Sequence, residues 1–89
     1  MDIRHDADEQ RFITTVDGHE AEVSYELEGG RMVVTHTIVP REIGGRGVAG
    51  DLNRAAFEHA RAQGLRVEPA CAYAAAWVKR NPDYADLVD

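Results

Sequence analysis

The sequence predicts an α+β fold: an antiparallel three-stranded meander, a crossover helix, a short parallel strand and a C-terminal helix. In the first half, β-branched and alternating polar and apolar residues lie between turn signals, which is typical of antiparallel strands. The second half changes to helical spacing after a glycine-rich segment. We expect one domain over residues 1–89, because a chain of this length supports a single two-layer core.

Two strands joined by a tight hairpin open the predicted sheet. Arg11–Val16 is rich in β-branched side chains and leads directly into Asp17-Gly18, a strong short-range hairpin signal. His19–Leu27 then alternates polar with apolar residues, as a half-buried strand does. The apolar side chains of this second strand are therefore expected on one face: Ala21, Val23, Tyr25 and Leu27.

A third strand and a long helix flank the glycine-rich segment. Arg31–Val39 is predicted as a strand that Pro40 ends, because proline donates no hydrogen bond to a sheet. A helix is predicted from about Arg46 to Gln63, with Gly64 at its C-terminal cap. The apolar stripe of this helix consists of Val48, Leu52, Ala55, Ala56 and His59 or Ala60.

A short strand and a second helix complete the pattern. Leu65–Val67 is predicted as a strand that Pro69 stops, and the second helix runs from about Cys71 to Lys79 or Arg80. A succession of strand, helix and strand predicts a right-handed crossover, which places the last strand parallel to the third. Residues 83–89 then carry three side chains that can dock on the core: Tyr84, Leu87 and Val88.

Composition and charge exclude several classes of function. The formal net charge is −6, whereas sequence-independent binding to nucleic acid requires a basic face. No apolar run is long enough to span a membrane. Met1–Asp6 lacks the apolar core of a secretory signal, so we expect a cytoplasmic location. Cys71 is the only cysteine, and without a Cys/His cluster we expect neither a disulfide nor a metal site.

The segment Gly44-Gly45-Arg46-Gly47 stands where the third predicted strand feeds the first predicted helix. The first amides of a helix lack internal partners, and the helix dipole adds partial positive charge there. Glycines let an anion approach the backbone, and Arg41 and Arg46 can add charge-assisted hydrogen bonds. This construction suits a pyrophosphate, although the same residues also fit a plain connector. No Gly-Lys-Ser/Thr follows, so the segment is not a Walker loop.

Val39-Pro40 followed by residues 45–49 (Gly-Arg-Gly-Val-Ala) resembles the coenzyme-A-binding motif of GNAT-superfamily acetyltransferases. That motif reads Gln/Arg-x-x-Gly-x-Gly/Ala and falls here on Glu42, Gly45 and Gly47. Glu42 departs from the usual Gln or Arg, and Gly44 takes a place often held by Arg. The backbone donors of the motif do not depend on these two side chains.

The resemblance extends over most of the chain and is closest to the minimal GNAT-like N-acetyltransferase-domain family. It implies a curved sheet splayed against its last strand, with the pantetheine arm of acetyl-CoA in the V-shaped gap. The residues that carry it outside the glycine turn are His36, Thr37, Val39, Pro40, Val67, Pro69, Cys71, Tyr73, Pro82 and 84–88. The cofactor contacts that it implies are Ile38, Val39, Arg41, Gly44, Gly45, Arg46, Gly47, Val48, Ala49, Cys71 and Tyr73.

Two side chains are candidates for the chemistry. Cys71 opens the second helix, where the helix N-terminus stabilises a thiolate, and the resemblance places a functional cysteine at this position. It could accept the acetyl group, protonate the leaving sulfur or simply pack as a small apolar side chain. His36 is the candidate general base, expected on the face of Met32, Val34 and Ile38, and a structural histidine is the competing interpretation.

These observations predict an acetyl-CoA-dependent N-acetyltransferase. The expected partners are acetyl-CoA and an unidentified amine, which is either a small molecule or a protein. The alternative is a non-catalytic acyl-CoA-binding module, because a domain of 89 residues has little surface for a second substrate pocket. A third possibility is an interaction protein that has kept only the fold.

Overall fold

In the computed structural model, which describes all 89 residues, five strands form one sheet in the order β1-β2-β3-β4-β5. The strands are β1 (Arg4–Asp6), β2 (Arg11–Val16), β3 (His19–Glu28), β4 (Arg31–Ile38) and β5 (Arg66–Pro69). The helices are α1 (Val48–Gln63) and α2 (Ala72–Arg80), with short 3-10 segments at Arg41–Ile43 and Pro82–Leu87. Strands β1 to β4 pair antiparallel, whereas β5 pairs parallel with β4. The predicted α+β fold and its parallel last strand are confirmed.

The hairpin between β2 and β3 forms where the sequence predicts it. Asp17 and Gly18 have φ angles of 48° and 78°. A two-residue loop with positive φ at both positions matches the right-handed twist of the strands on either side. The hairpin therefore fixes the register of β2 against β3.

Both helices and the segment Pro82–Leu87 pack on one face of the sheet and bury a single apolar core. The core includes a cluster of three aromatic rings: Phe57 of α1, Trp77 of α2 and Tyr84. The ring centroids of Phe57 and Trp77 are 5.0 Å apart, and those of Trp77 and Tyr84 are 5.2 Å apart. The predicted docking of the C-terminal segment is confirmed. Neither helix is long and apolar enough to cross a membrane.

The burial of the core differs in detail from the sequence pattern. Leu27 lies on the predicted face of β3, opposite Met32, but it is 53% exposed. The buried side of α1 includes Phe57 and Asn53, which the predicted stripe omits, while Ala55 and His59 are only half-buried. Helix α1 also begins at Val48 rather than near Arg46.

Strand β4 contains a bulge that changes which of its side chains face the helices. Ser24 pairs with His36 and the adjacent Tyr25 with Val34, so Thr35 is an extra residue on β4. An inserted residue shifts the alternation of all later side chains by one. Thr37 therefore takes the helix-facing side, whereas His36 turns to the open face and is exposed. The prediction that His36 shares a face with Met32 and Val34 is wrong.

Strands β4 and β5 separate beyond the first half of β4. Their pairing ends at Val34 opposite Pro69. One further hydrogen bond of 3.0 Å runs from the Cys71 amide to the Val34 carbonyl, after which the chain turns into α2. Residues 36–38 of β4 therefore pair with β3 on one side, and residues 35–38 have an unpaired edge toward α2. This gap between β4 and the start of α2 is called the β4 gap below.

The sequence pattern does not predict β1, which pairs with β2 at the edge of the sheet. Its side chain His5 stacks on Phe12 with ring centroids 4.2 Å apart and hydrogen-bonds the Tyr25 hydroxyl at 2.5 Å. His59 of α1 lies edge-on to the same imidazole, with centroids 4.4 Å apart. The ring contacts of His5 thus fasten β1 to the sheet and to α1.

The setting of His5 makes the stability of the fold pH-dependent. Burial lowers the pKa of His5, nearby His59 lowers it further, and Asp6 acts in the opposite direction. Because the unfolded chain then takes up a proton more readily than the folded protein, stability falls as the pH drops below about 6.5. We expect His5→Phe to reduce the loss of melting temperature between about pH 7.5 and about pH 5.5. An unchanged pH dependence in the variant would rule out this role for His5.

Candidate functional site

The glycine turn presents unpaired backbone donors at the start of α1. Gly45 and Gly47 have φ angles of +76° and +80°, a region that side chains other than glycine adopt at a cost. Gly47 is the N-cap of α1 and no side chain caps this end. The first internal bond runs from the Asp51 amide to the Gly47 carbonyl, so the amides of residues 48–50 have no partner. These free donors and the helix dipole suit an anion.

A shallow pocket of about 260 Å³ opens beside these amides. Its lining residues are Val39, Ile43, Gly44, Gly45, Gly47, Val48, Ala49 and Tyr73. All of these except Ile43 are residues predicted to contact acetyl-CoA. The structure therefore brings the glycine turn, the end of β4 and the first turn of α2 to one place.

Four other predicted contacts are not part of this pocket: Ile38, Arg41, Arg46 and Cys71, which is described below. Ile38 lies on the open face of the sheet with 54% of its surface exposed, because the bulge turns it away from α1. Arg46 is paired with Asp17 of the β2–β3 hairpin, so its guanidinium would have to leave that carboxylate to reach a phosphate. Arg41 is exposed in the 3-10 segment that precedes Gly44.

Cys71 is half-buried at the other end of the β4 gap, where it is the N-cap of α2. Its sulfur accepts a hydrogen bond from the Ala74 amide at 3.3 Å. The Thr37 hydroxyl lies 3.5 Å from the same sulfur, across the gap. The thiol therefore has two polar neighbours at a helix N-terminus, and it also packs against the apolar core.

Asn53 of α1 forms a cluster with Cys71 and Thr37, and the sequence pattern did not indicate it as a site residue. Its Nδ2 atom donates to the Thr37 hydroxyl at 3.2 Å and to the Ala49 carbonyl at 3.0 Å. The side chain is fully buried, yet its Oδ1 atom has no hydrogen-bond partner. An unpaired buried acceptor costs about 1–3 kcal/mol, so this residue requires an explanation. Its position four residues before Phe57 is the helical spacing that could have revealed it.

His36 lies away from this cluster. It is exposed on the open face of the sheet, opposite Ser24, whereas the next residue, Thr37, points toward Cys71. The side chain of His36 therefore points away from Cys71, so the structure does not bring the two predicted catalytic side chains together.

Comparison with known proteins gives a consistent result. Residues 11–87 match the family described as GCN5-related N-acetyl-transferase. The chain is 36% identical to protein NATD1 of Bos taurus over 83 residues, which cover 90% of this chain and 74% of that protein. Protein NATD1 of Homo sapiens is 35% identical, with the same coverage. The solution structure of a GCN5-like protein from Staphylococcus aureus superimposes with a TM-score of 0.79 and 28% identity, covering 99% of this chain and 87% of that chain.

Proposed function

The chain belongs to the GCN5-related N-acetyltransferase family, and on that premise we propose that it binds acetyl-CoA and transfers the acetyl group to an amine. The proposal rests on two neighbouring stretches of backbone whose hydrogen-bonding groups have no partner. The free amides of residues 48–50 lie at one end, and the open edge of β4 at residues 35–38 leads from there toward Cys71.

Each part of this surface has the chemistry that one part of acetyl-CoA requires. The amides at the start of α1 would hold the pyrophosphate, as helix N-termini hold phosphates in many proteins. The unpaired edge of β4 offers donors and acceptors to the two amide groups of the pantetheine arm, in the manner of an added strand. Tyr73 lines the pocket, and Cys71 lies only two residues before it in the chain. The thioester would therefore lie near the Cys71 sulfur.

Cys71 then has two possible roles in the transfer. As a nucleophile, its thiolate attacks the thioester carbonyl carbon, the bond to the coenzyme sulfur breaks, and coenzyme A leaves as a thiolate that takes up a proton. The acetyl-cysteine formed would next be attacked by the neutral amine, which restores Cys71 and releases the amide. As an acid, the thiol instead protonates the leaving coenzyme sulfur during direct attack by the amine.

Incubation with acetyl-CoA distinguishes these roles. A nucleophilic Cys71 is expected to gain one acetyl group, removable by hydroxylamine and visible in the intact mass of the protein. Cys71→Ala should then lose both the label and all turnover. If Cys71 acts only as an acid, the same variant should still bind acetyl-CoA and keep part of its activity.

A third result would contradict any role of Cys71 in the site. It is a thiol that resists alkylation in the folded protein and gains no protection from added coenzyme A. The proposal for the glycine turn would survive this result, because it depends on backbone amides that the substitution does not touch.

A non-catalytic acyl-CoA-binding module is the second candidate. It is favoured by the position of His36, since the only histidine of β4 faces away from Cys71 and leaves no imidazole in the Cys71, Thr37 and Asn53 cluster. Saturable binding of acetyl-CoA without turnover on any of a panel of polyamines, lysine peptides and protein N-termini would support this module over an enzyme.

A further inference from the structure

The buried amide of Asn53 begins a chain of hydrogen bonds that leads through Thr37 to Cys71. The Ala49 carbonyl can only accept a hydrogen bond, so the atom of the Asn53 amide that faces it must be the nitrogen. The same nitrogen lies 3.2 Å from the Thr37 hydroxyl and donates its second proton there. The two donor positions of this NH₂ group are thereby both used.

The hydrogen bond from Asn53 affects how the Thr37 hydroxyl bonds its other neighbours. Because its oxygen accepts from Asn53, its own proton is free to point at the Cys71 sulfur, 3.5 Å away. The sulfur already accepts from the Ala74 amide. Cys71 can therefore receive two hydrogen bonds, and donors directed at a sulfur favour its charged, nucleophilic form.

We propose that Asn53 is a positioning residue for Cys71, which acts by turning the Thr37 hydroxyl toward the sulfur. A contribution of Asn53 to catalysis rests on the proposed function. Its effect on the reactivity of the Cys71 thiol does not. The unpartnered Oδ1 atom supports it, since an apolar side chain would fill the same buried place without leaving an acceptor unpaired. The stability of the fold therefore does not explain an amide at position 53. The two hydrogen bonds that the Asn53 amide donates do explain it.

The two groups within hydrogen-bonding distance of this sulfur are uncharged: the Thr37 hydroxyl and the Ala74 amide. The ionisable side chains on the neighbouring parts of β4, β5 and α1 are His36, Glu68 and Asp51, which are all exposed and make no hydrogen bond to Cys71. Tyr73, two residues after Cys71, makes no hydrogen bond to the sulfur, and its ring lies 5.6 Å from the guanidinium of Arg80.

The test is the rate at which iodoacetamide alkylates Cys71, measured by intact mass over a range of pH in the protein without ligand. Asn53→Leu keeps the shape of the side chain and removes its donors. We expect it to slow alkylation near neutral pH by about two- to tenfold, the effect of one neutral hydrogen bond. Thr37→Val should slow alkylation by at least as much, whereas Thr37→Ser, which keeps the hydroxyl, should react like the wild type.

Two controls separate this role from a structural one. In urea, where every variant is unfolded, all alkylation rates should coincide. Asn53→Leu should melt no lower than the wild type, because it removes an unpaired buried oxygen. A lower melting temperature with unchanged alkylation would overturn the proposal, and so would equal rates for Thr37→Val and Thr37→Ser. Because alkylation requires neither acetyl-CoA nor an amine, failure here is distinct from failure of the proposed function.

Discussion

Gly47→Glu is expected to abolish the binding of acetyl-CoA in a protein that remains folded. Gly47 lines the pocket at the start of α1, and open space surrounds the position that its Cβ atom would occupy. A glutamate there would place a carboxylate beside the amides proposed to hold the pyrophosphate. Losing two charge-assisted hydrogen bonds lowers the affinity on the order of a hundredfold or more. Titration calorimetry with acetyl-CoA measures the effect, and circular dichroism checks the fold.

The matched control for this variant is Gly30→Glu. Gly30 has the same φ angle, +80°, and likewise has no neighbour near a new Cβ atom, but it lies in the turn between β3 and β4. Both variants place a glutamate in the left-handed region, at a conformational cost of about 1–2 kcal/mol each. Gly30→Glu should therefore lose similar stability and bind acetyl-CoA normally. Normal binding by folded Gly47→Glu would remove the pyrophosphate site from the glycine turn.

Phe57→Ala is expected to destabilise the fold strongly. The ring is fully buried and contacts the rings of Trp77 and Tyr84, so its removal leaves a cavity in the core. Such truncations cost about 3–5 kcal/mol. The total free energy of unfolding of a small domain is only about 5–15 kcal/mol. Urea denaturation followed by circular dichroism should show a much lower midpoint.

Leu27→Ala provides the comparison for this result. Leu27 is also a large apolar side chain, but its exposure of 53% leaves little burial to lose. Its truncation should change the free energy of unfolding by no more than about 0.5 kcal/mol. A loss of less than about 1 kcal/mol in Phe57→Ala would contradict the packing of the aromatic cluster, because full burial of such a ring is worth more than that.

The order of the elements could be predicted because each has a local signal. Asp17-Gly18 marks a hairpin, Gly64 ends α1 in the left-handed conformation, and Pro69 is the last residue of β5. The alternation of His19–Leu27 likewise predicts a strand with one buried face. These signals depend on short-range preferences that the tertiary structure does not oppose.

Features that depend on distant contacts could not be predicted. The bulge at Thr35 has no glycine or proline to mark it, and its single extra residue was enough to misplace His36. The three-residue strand β1 has no apolar alternation and is held by contacts of His5 with residues far along the chain. The partner of Arg46 is Asp17, 29 residues earlier, which no local pattern indicates.

The two outer edges of the sheet are poor templates for self-association. Strand β1 is three residues long and carries Arg4, His5 and Asp6, while β5 ends in a proline and Val67 is bridged by Val88 on its outer side. Short, charged or covered edges discourage the addition of strands from other molecules. The inner edge of β4 at residues 35–38 is also unpaired, but it lies in the β4 gap inside the sheet. A protein with this sheet therefore resists edge-to-edge aggregation while leaving one sheltered place where an extended molecule can pair.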